Sequence, residues 1–268
     1  MGTKTGIDWT EHTWSPWQGC HKIATGCLNC YMHRDKRRYG QDPTTVVRSK
    51  PPTFNAPLKK WHDPALVFVC SWSDFFVEEA DPWRAEAWDI IRQAQHLTFQ
   101  ILTKRVDRIK ECLPPDWGDG WPHVWLGASA SNQPDLERVV VPLLRTPAAV
   151  RFLSLEPLLG PIDDLREWLT TYSYKPLDES KTAVQIADFC NHATRDHRIV
   201  INLVIAGCES GPNRREAKDD WFRSIRDQCV EAGVPFFLKQ QVDTNNKMVK
   251  MPELDGRVWD QMPQSKGE

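Results

Sequence analysis

Six short apolar runs in this chain each end in a polar cluster, and that repeat narrows the fold more than any other feature. The clusters are SWSD after the run from residue 65, TKR at the end of 98–105, and SAS within 124–132. LEP follows within 150–158, GCESG within 200–211 and LKQ at the end of 234–240. Short continuous apolar runs are what buried parallel strands require. Helical patterns separate most of them. One opens at Asp81-Pro82 with Asp81 as its cap and an apolar face of Trp83, Ala87, Ile90, Ile91 and Ala94. Others cover 106–112, 135–144 and 221–232. With an initial strand over 9–19 ending at Cys20, the count is about seven. Alternation of this kind predicts an α/β fold: a parallel (β/α) barrel, partial, of six or seven strands and TIM-like. In such a barrel all strand C-termini share one face, so the polar clusters build one rim. The barrel is expected over 1–241, with a helical insert near 166–198, followed by an irregular C-terminal cap or tail over 242–268. The Pro-rich segment 41–64 reads as a surface connector.

The segment 13–39, TWSPWQGCHKIATGCLNCYMHRDKRRY, places Cys20, Cys27 and Cys30 in a C-x6-C-x2-C spacing, with Gly19 and Gly26 before the first two. It reads as a loop leading into a helix over 30–39 whose outer face carries Arg34, Lys36, Arg37 and Arg38, with Gly40 as its stop. Thiolates take soft or borderline metals. Three of them can hold three corners of a four-iron cluster and leave the fourth iron open. The alternative is zinc, with His12, His21 or His33 as fourth ligand. Structural zinc sites show two short spacings, and here no second C-x2-C exists. The remaining reading is three unrelated buried cysteines.

Composition excludes several classes. With 40% hydrophobic and 26% charged residues in a 268-residue chain, a packed core is affordable. The net charge of −2 supplies no overall basic field, so any nucleic-acid contact needs a local patch. The 13 Trp read mainly as core, with a few able to stack on a flat ligand. No run is long and apolar enough for a membrane span, and the start of the chain lacks the apolar region of a secretory leader. Eight cysteines in a chain of this size argue against a disulfide framework and for a reducing, cytoplasmic setting.

Taken together, TWSPWQGC…GCLNCY, FVCSWSDFF, ILTKR, LEPLLGPI and GCESGP resemble a phage- and bacteria-associated family of three-cysteine, radical SAM-like proteins, over about residues 7–262. The family is distantly similar to spore photoproduct lyase, whose ILTKR-type strand end is alike. Radical SAM enzymes usually space their cysteines C-x3-C-x2-C; the first interval here is longer. The resemblance implies a [4Fe–4S] cluster on Cys20, Cys27 and Cys30, with S-adenosylmethionine on its open iron. Reductive cleavage would give a 5′-deoxyadenosyl radical that takes hydrogen from a nucleobase in nucleic acid or a nucleotide. A flavodoxin- or ferredoxin-type electron donor is implied, and a further protein partner is open. The alternative is a zinc-stabilised module that binds nucleic acid or protein without radical chemistry.

Residue by residue, the resemblance puts Tyr31 against the adenine, although the superfamily carries its aromatic where this chain has Asn29; helix packing is the plainer role. Ser71, Ser73 and Asp74 would meet the methionine amino group, unless Asp74 caps the following turn. Thr103 and Lys104 would take ribose or carboxylate, with Lys104 also a catalytic candidate or simply an exposed rim charge, and Arg105 beside them. Ser129 and Ser131 offer donors near ribose. Glu156, before Pro157, would face ribose or substrate. Glu209 would meet a ligand, or else pair with Arg214 or Arg215. Cys208 is the candidate hydrogen-atom donor, with Cys70 second, whereas Cys112, Cys190 and Cys229 read as structural. The basic run 34–38 and Arg214-Arg215 would contact phosphates or form solvated faces.

Overall fold

The computed structural model describes residues 5–170 and 201–263. The expected insert lies outside them from residue 171 on, as do Cys190 and residues 264–268. The strands are β1 (His12–Trp14), β2 (Trp17–Gln18), β3 (Val47–Arg48), β4 (Ala65–Val69), β5 (Leu97–Thr103), β6 (Val124–Ser129) and β7 (Val150–Leu155). They continue with β8 (Leu203–Gly207), β9 (Phe236–Val242), β10 (Met248–Lys250), β11 (Glu253–Leu254) and β12 (Arg257–Val258). The helices are α1 (Tyr31–Arg38), α2 (Pro51–Phe54), α3 (Ala56–Lys59), α4 (Asp81–Gln93), α5 (Ile109–Cys112), α6 (Gln133–Leu144), α7 (Arg166–Leu169) and α8 (Asp219–Ala232).

Eight strands form one sheet in the order β1-β4-β5-β6-β7-β8-β9-β10, curled into a half-barrel. Every neighbouring pair is parallel except β9 with β10. Alternate side chains go to opposite faces, as a pleated strand requires. In β8, Val204 and Ala206 join the large core, while Leu203 and Ile205 enter a second, smaller cluster with Trp9, Trp125, Phe152 and Phe237. Phe68 and Leu102 pack against that second cluster. It fills one end of the curl and leaves the C-terminal strand ends free to carry polar groups. Gly127 pairs with Phe152, and a Cβ there would collide with the Phe152 ring.

Several expectations need correction. The segment 9–19 is not one strand. Pro16 has no N–H for the ladder, so β1 ends before it and β2 pairs with β3 in a separate ribbon. Asp81 is the first residue of α4 rather than its cap, and its carboxylate pairs with Arg84 and Arg108. Lys36 is not on an outer face: it is 3% exposed, one turn from Met32 and beside the inward side of α1. Residues 243–263 are not irregular throughout. They add β10 antiparallel to the edge of the sheet and close the β11–β12 hairpin, where Asp255 takes Arg223 and Arg226. Trp259 beyond it packs on Phe236 with ring centroids 6.0 Å apart.

Candidate functional site

A cavity of about 520 Å³ opens at the C-terminal ends of the parallel strands. Cys20, Cys27 and Cys30 line it, together with Tyr31, Ser71, Ser73, Asp74, Thr103, Lys104, Arg105, Ser129, Glu156, Cys208 and Glu209. One space thus gathers residues from the loop before α1 and the ends of β4 to β8. Trp9, Phe68 and Leu102 give it an apolar floor shared with the smaller cluster.

The cysteine loop is shaped by contacts to those strand ends. Gly19 sits at φ 101°, and any side chain there would collide with the Thr45 carbonyl. Gly19 donates its N–H to Trp72 O at 3.0 Å and accepts from Ser73 Oγ at 2.5 Å, so Ser73 is spent on the loop. Gly26 lets the loop approach Ser131 and Pro157: a Cβ would press on Ser131 Oγ and come within 3.3 Å of Pro157 Cδ. Ser131 Oγ is buried without a hydrogen-bond partner.

Glu209 and Arg215 latch the same loop. The Arg215 Nε and backbone N–H donate to Glu209 Oε2 at 3.0 and 2.9 Å, and its Nη2 pairs with the other oxygen. Arg215 Nη1 then reaches Thr25 O at 3.1 Å, and Asn29 Nδ2 donates to Glu209 at 2.9 Å. Burial alone would raise the Glu209 carboxyl, but the Arg215 and Asn29 hydrogen bonds outweigh it and hold it below the usual range. Glu209 therefore makes the salt bridge to Arg215 that its sequence position offered, and its oxygens hold protein groups rather than open space.

Asp74 is similarly occupied. It accepts from Thr103 Oγ1 at 2.8 and 2.9 Å, from the Lys104 N–H at 3.1 Å and from the Phe76 N–H at 2.9 Å. Arg105 lies 3.4 Å from the same carboxylate and 3.4 Å from Cys20 Sγ. Asp74 thus caps its own turn, and Thr103 supports it. Burial, and then Asp74, push the Cys20 thiol up to about 12 against the pull of Arg105. Lys104 Nζ donates to Ser129 Oγ at 2.7 Å and has no carboxylate in ion-pair range among the described residues. Glu156 takes Lys239 Nζ at 2.5 Å and Gln240 Nε2 at 3.3 Å. The Tyr31 hydroxyl donates to Ser71 O, and the Ser71 hydroxyl lies 3.5 Å from that of Ser15. Cys208 is 2% exposed, with Sγ 3.6 Å from Met248 Sδ. Burial, then Glu156, push its thiol up to about 11. Cys70 is buried at φ 62°, a conformation rare outside glycine, at the end of β4. Cys112 and Cys229 lie on α5 and α8, away from the cavity lining.

Sequence reasoning missed the pairing of Lys239 with Glu156, although Lys239 ends the last parallel run. It also missed Trp72 and Ser154, which line the cavity, whereas His33, named from the sequence as a possible zinc ligand, lines it too. A tryptophan between two serines reads as core, and nothing local marks it otherwise. His33 Nδ1 is buried and unpartnered. His12 instead stacks on Trp61 at 4.5 Å, and His21 pairs with Glu79.

Among the described residues, no group of three His, Cys, Asp or Glu is placed to hold a metal ion. That does not fit the ligand shell of one zinc, whose thiolates crowd around a single centre at about 2.3 Å. A four-iron cluster asks something different: each thiolate binds a different iron, so the three sulfurs stand apart around one shared space instead of crowding a single centre. Three half-buried cysteines, none in a disulfide, face such a space here.

The fold and site define a class: a mostly parallel α/β half-barrel with a polar cavity at its strand C-termini, edged by a three-cysteine loop. The chain belongs to the family described as Protein of unknown function (DUF5131), whose model matches residues 4–263. No curated protein and no solved structure matches the chain. The likeness to radical SAM enzymes and to spore photoproduct lyase therefore rests on the sequence motifs alone.

Proposed function

We propose that this protein is a radical SAM enzyme, with Cys20, Cys27 and Cys30 as ligands of a [4Fe–4S] cluster and S-adenosylmethionine as its cosubstrate. One observation carries the reading: the three cysteines line the same cavity as the polar ends of β4 to β9. Held by Cys20, Cys27 and Cys30 and reduced by an external one-electron donor, a cluster would supply reductive cleavage of the sulfonium C–S bond.

The chain's own residues bind, orient and exclude water. Lys104, with no carboxylate in ion-pair range among the described residues, is the natural partner of the methionine carboxylate. Ser129, held between Lys104 and Glu156 O, offers a donor beside it. Glu156, steadied by Lys239, accepts from sugar hydroxyls. Tyr31, anchored on Ser71 O, presents its ring at the cavity edge. Asp74 and Thr103 act through Lys104 and Arg105 rather than by touching the ligand. The apolar floor of Trp9, Phe68 and Leu102 keeps water from a reactive intermediate. Cys208 retains its S–H at neutral pH, the state a hydrogen-atom donor requires.

The test is anaerobic reconstitution with iron and sulfide, followed by S-adenosylmethionine and dithionite. 5′-Deoxyadenosine should form, and should be lost in Cys20→Ala, Cys27→Ala and Cys30→Ala. Its absence from the reconstituted parent, or equal formation by those variants, overturns the reading.

A further inference from the structure

Not all of the basic residues near the cysteine loop are available to a ligand. Lys36 is buried, and Arg215 is committed to Glu209 and Thr25. Two others meet at one residue beside the cavity. Gly211 sits at φ 107°, and the Arg34 guanidinium occupies the position its Cβ would take. Arg214 Nη1 donates to Gly211 O at 2.9 Å. Gly211 directly follows Cys208, Glu209 and Ser210, which line the cavity.

Charge around this pair is not balanced. Among the described residues Arg34 pairs only with its neighbour Asp35, at 3.0 Å and partly exposed. Arg214 holds neutral acceptors, Gly211 O and Asn246, and no carboxylate among the described residues. Two guanidinia meeting at one glycine concentrate positive charge there, which an anion would offset. A single carboxylate can be satisfied by one arginine fork; two forks suit the several oxygens of a phosphate.

We infer that Arg34 and Arg214 form a phosphate-binding mouth on this cavity. S-adenosylmethionine carries no phosphate, so the ligand is a second molecule, and it rests on the proposed function only to be called the substrate. Its phosphate belongs either to a free nucleotide or to a nucleic-acid strand.

The experiment measures anisotropy of a fluorescent single-stranded oligonucleotide, and its displacement by a nucleoside monophosphate, on full-length protein with and without cluster. Arg34→Gln and Arg214→Gln should each weaken binding about tenfold. For the oligonucleotide, each should also lower the salt dependence by about 0.7 in log–log slope. Arg38→Gln, exposed on the same helix, should bind as the parent does, and thermal unfolding midpoints should confirm that all variants fold. Binding of the monophosphate alone, read by titration calorimetry, identifies a nucleotide, and binding of the oligonucleotide without displacement by the monophosphate identifies a strand. Failure of both probes to bind, or equal binding by parent and both Gln variants, overturns the site. Neither result bears on 5′-deoxyadenosine formation, which needs no phosphate, so the two proposals fail separately.

Discussion

At the residue scale, a few side chains carry the site and others carry those side chains. Asp74 is 6% exposed and serves Thr103, Lys104, Phe76 and Arg105 at once. Removing it leaves the Arg105 cation and two N–H groups without their acceptor. Asp74→Ala should therefore lose about 3 kcal/mol of stability in urea unfolding, whereas Lys104→Met should fold as the parent does. Lys104→Met should instead weaken S-adenosylmethionine binding about tenfold in calorimetry, the cost of one charge-assisted hydrogen bond. The positions of these residues were legible in the sequence, because each follows an apolar run. Their partners were not. Asp74 engages Thr103 across 29 residues of chain, and no local pattern distinguishes a carboxylate that serves a ligand from one that serves its own scaffold.

At the element scale, the cysteine loop is an insertion with little apolar surface of its own, and Ile23 and Leu28 within it are exposed. Its order depends on Gly19, Gly26 and the Glu209–Arg215 latch. The Glu209 carboxyl titrates below its ordinary range, so the latch contributes fully above the unfolded carboxylate pKa of about 4.3. That contribution is lost as pH falls through the lower, folded value. Hydrogen-exchange protection factors over residues 20–30, taken relative to the intrinsic rate at each pH, should thus fall in the parent only below about pH 4, while Glu209→Gln should show low protection already at neutral pH. The spacing of the cysteines was visible from the chain; the latch was not, because Asn29 and Glu209 lie 180 residues apart. Pro16 did signal a break, but only pairing with Val47–Arg48 shows where the second half of that segment goes.

At the scale of the whole molecule, six of the seven parallel strands were readable because each keeps an apolar run, whereas β1, His12–Trp14, has none. The antiparallel β10 escaped, being three residues long and only half-buried, with Met248 packed against the large core. The curl depends on a plugged end. Gly127 makes room for the Phe152 ring, so Gly127→Ala should cost about 2 kcal/mol by overpacking, seen as a lower denaturant midpoint with an unchanged slope. An unchanged midpoint would mean that the smaller cluster is loosely packed and the cavity floor is not fixed. The central claim is that the mouth of this half-barrel holds an iron–sulfur cluster on one loop. Iron and acid-labile sulfide in anaerobically reconstituted protein test it most directly. The account predicts about four of each per chain, falling to background when Cys20, Cys27 and Cys30 are all replaced by Ala. One zinc with no sulfide, or the same iron content in the triple variant, would contradict it.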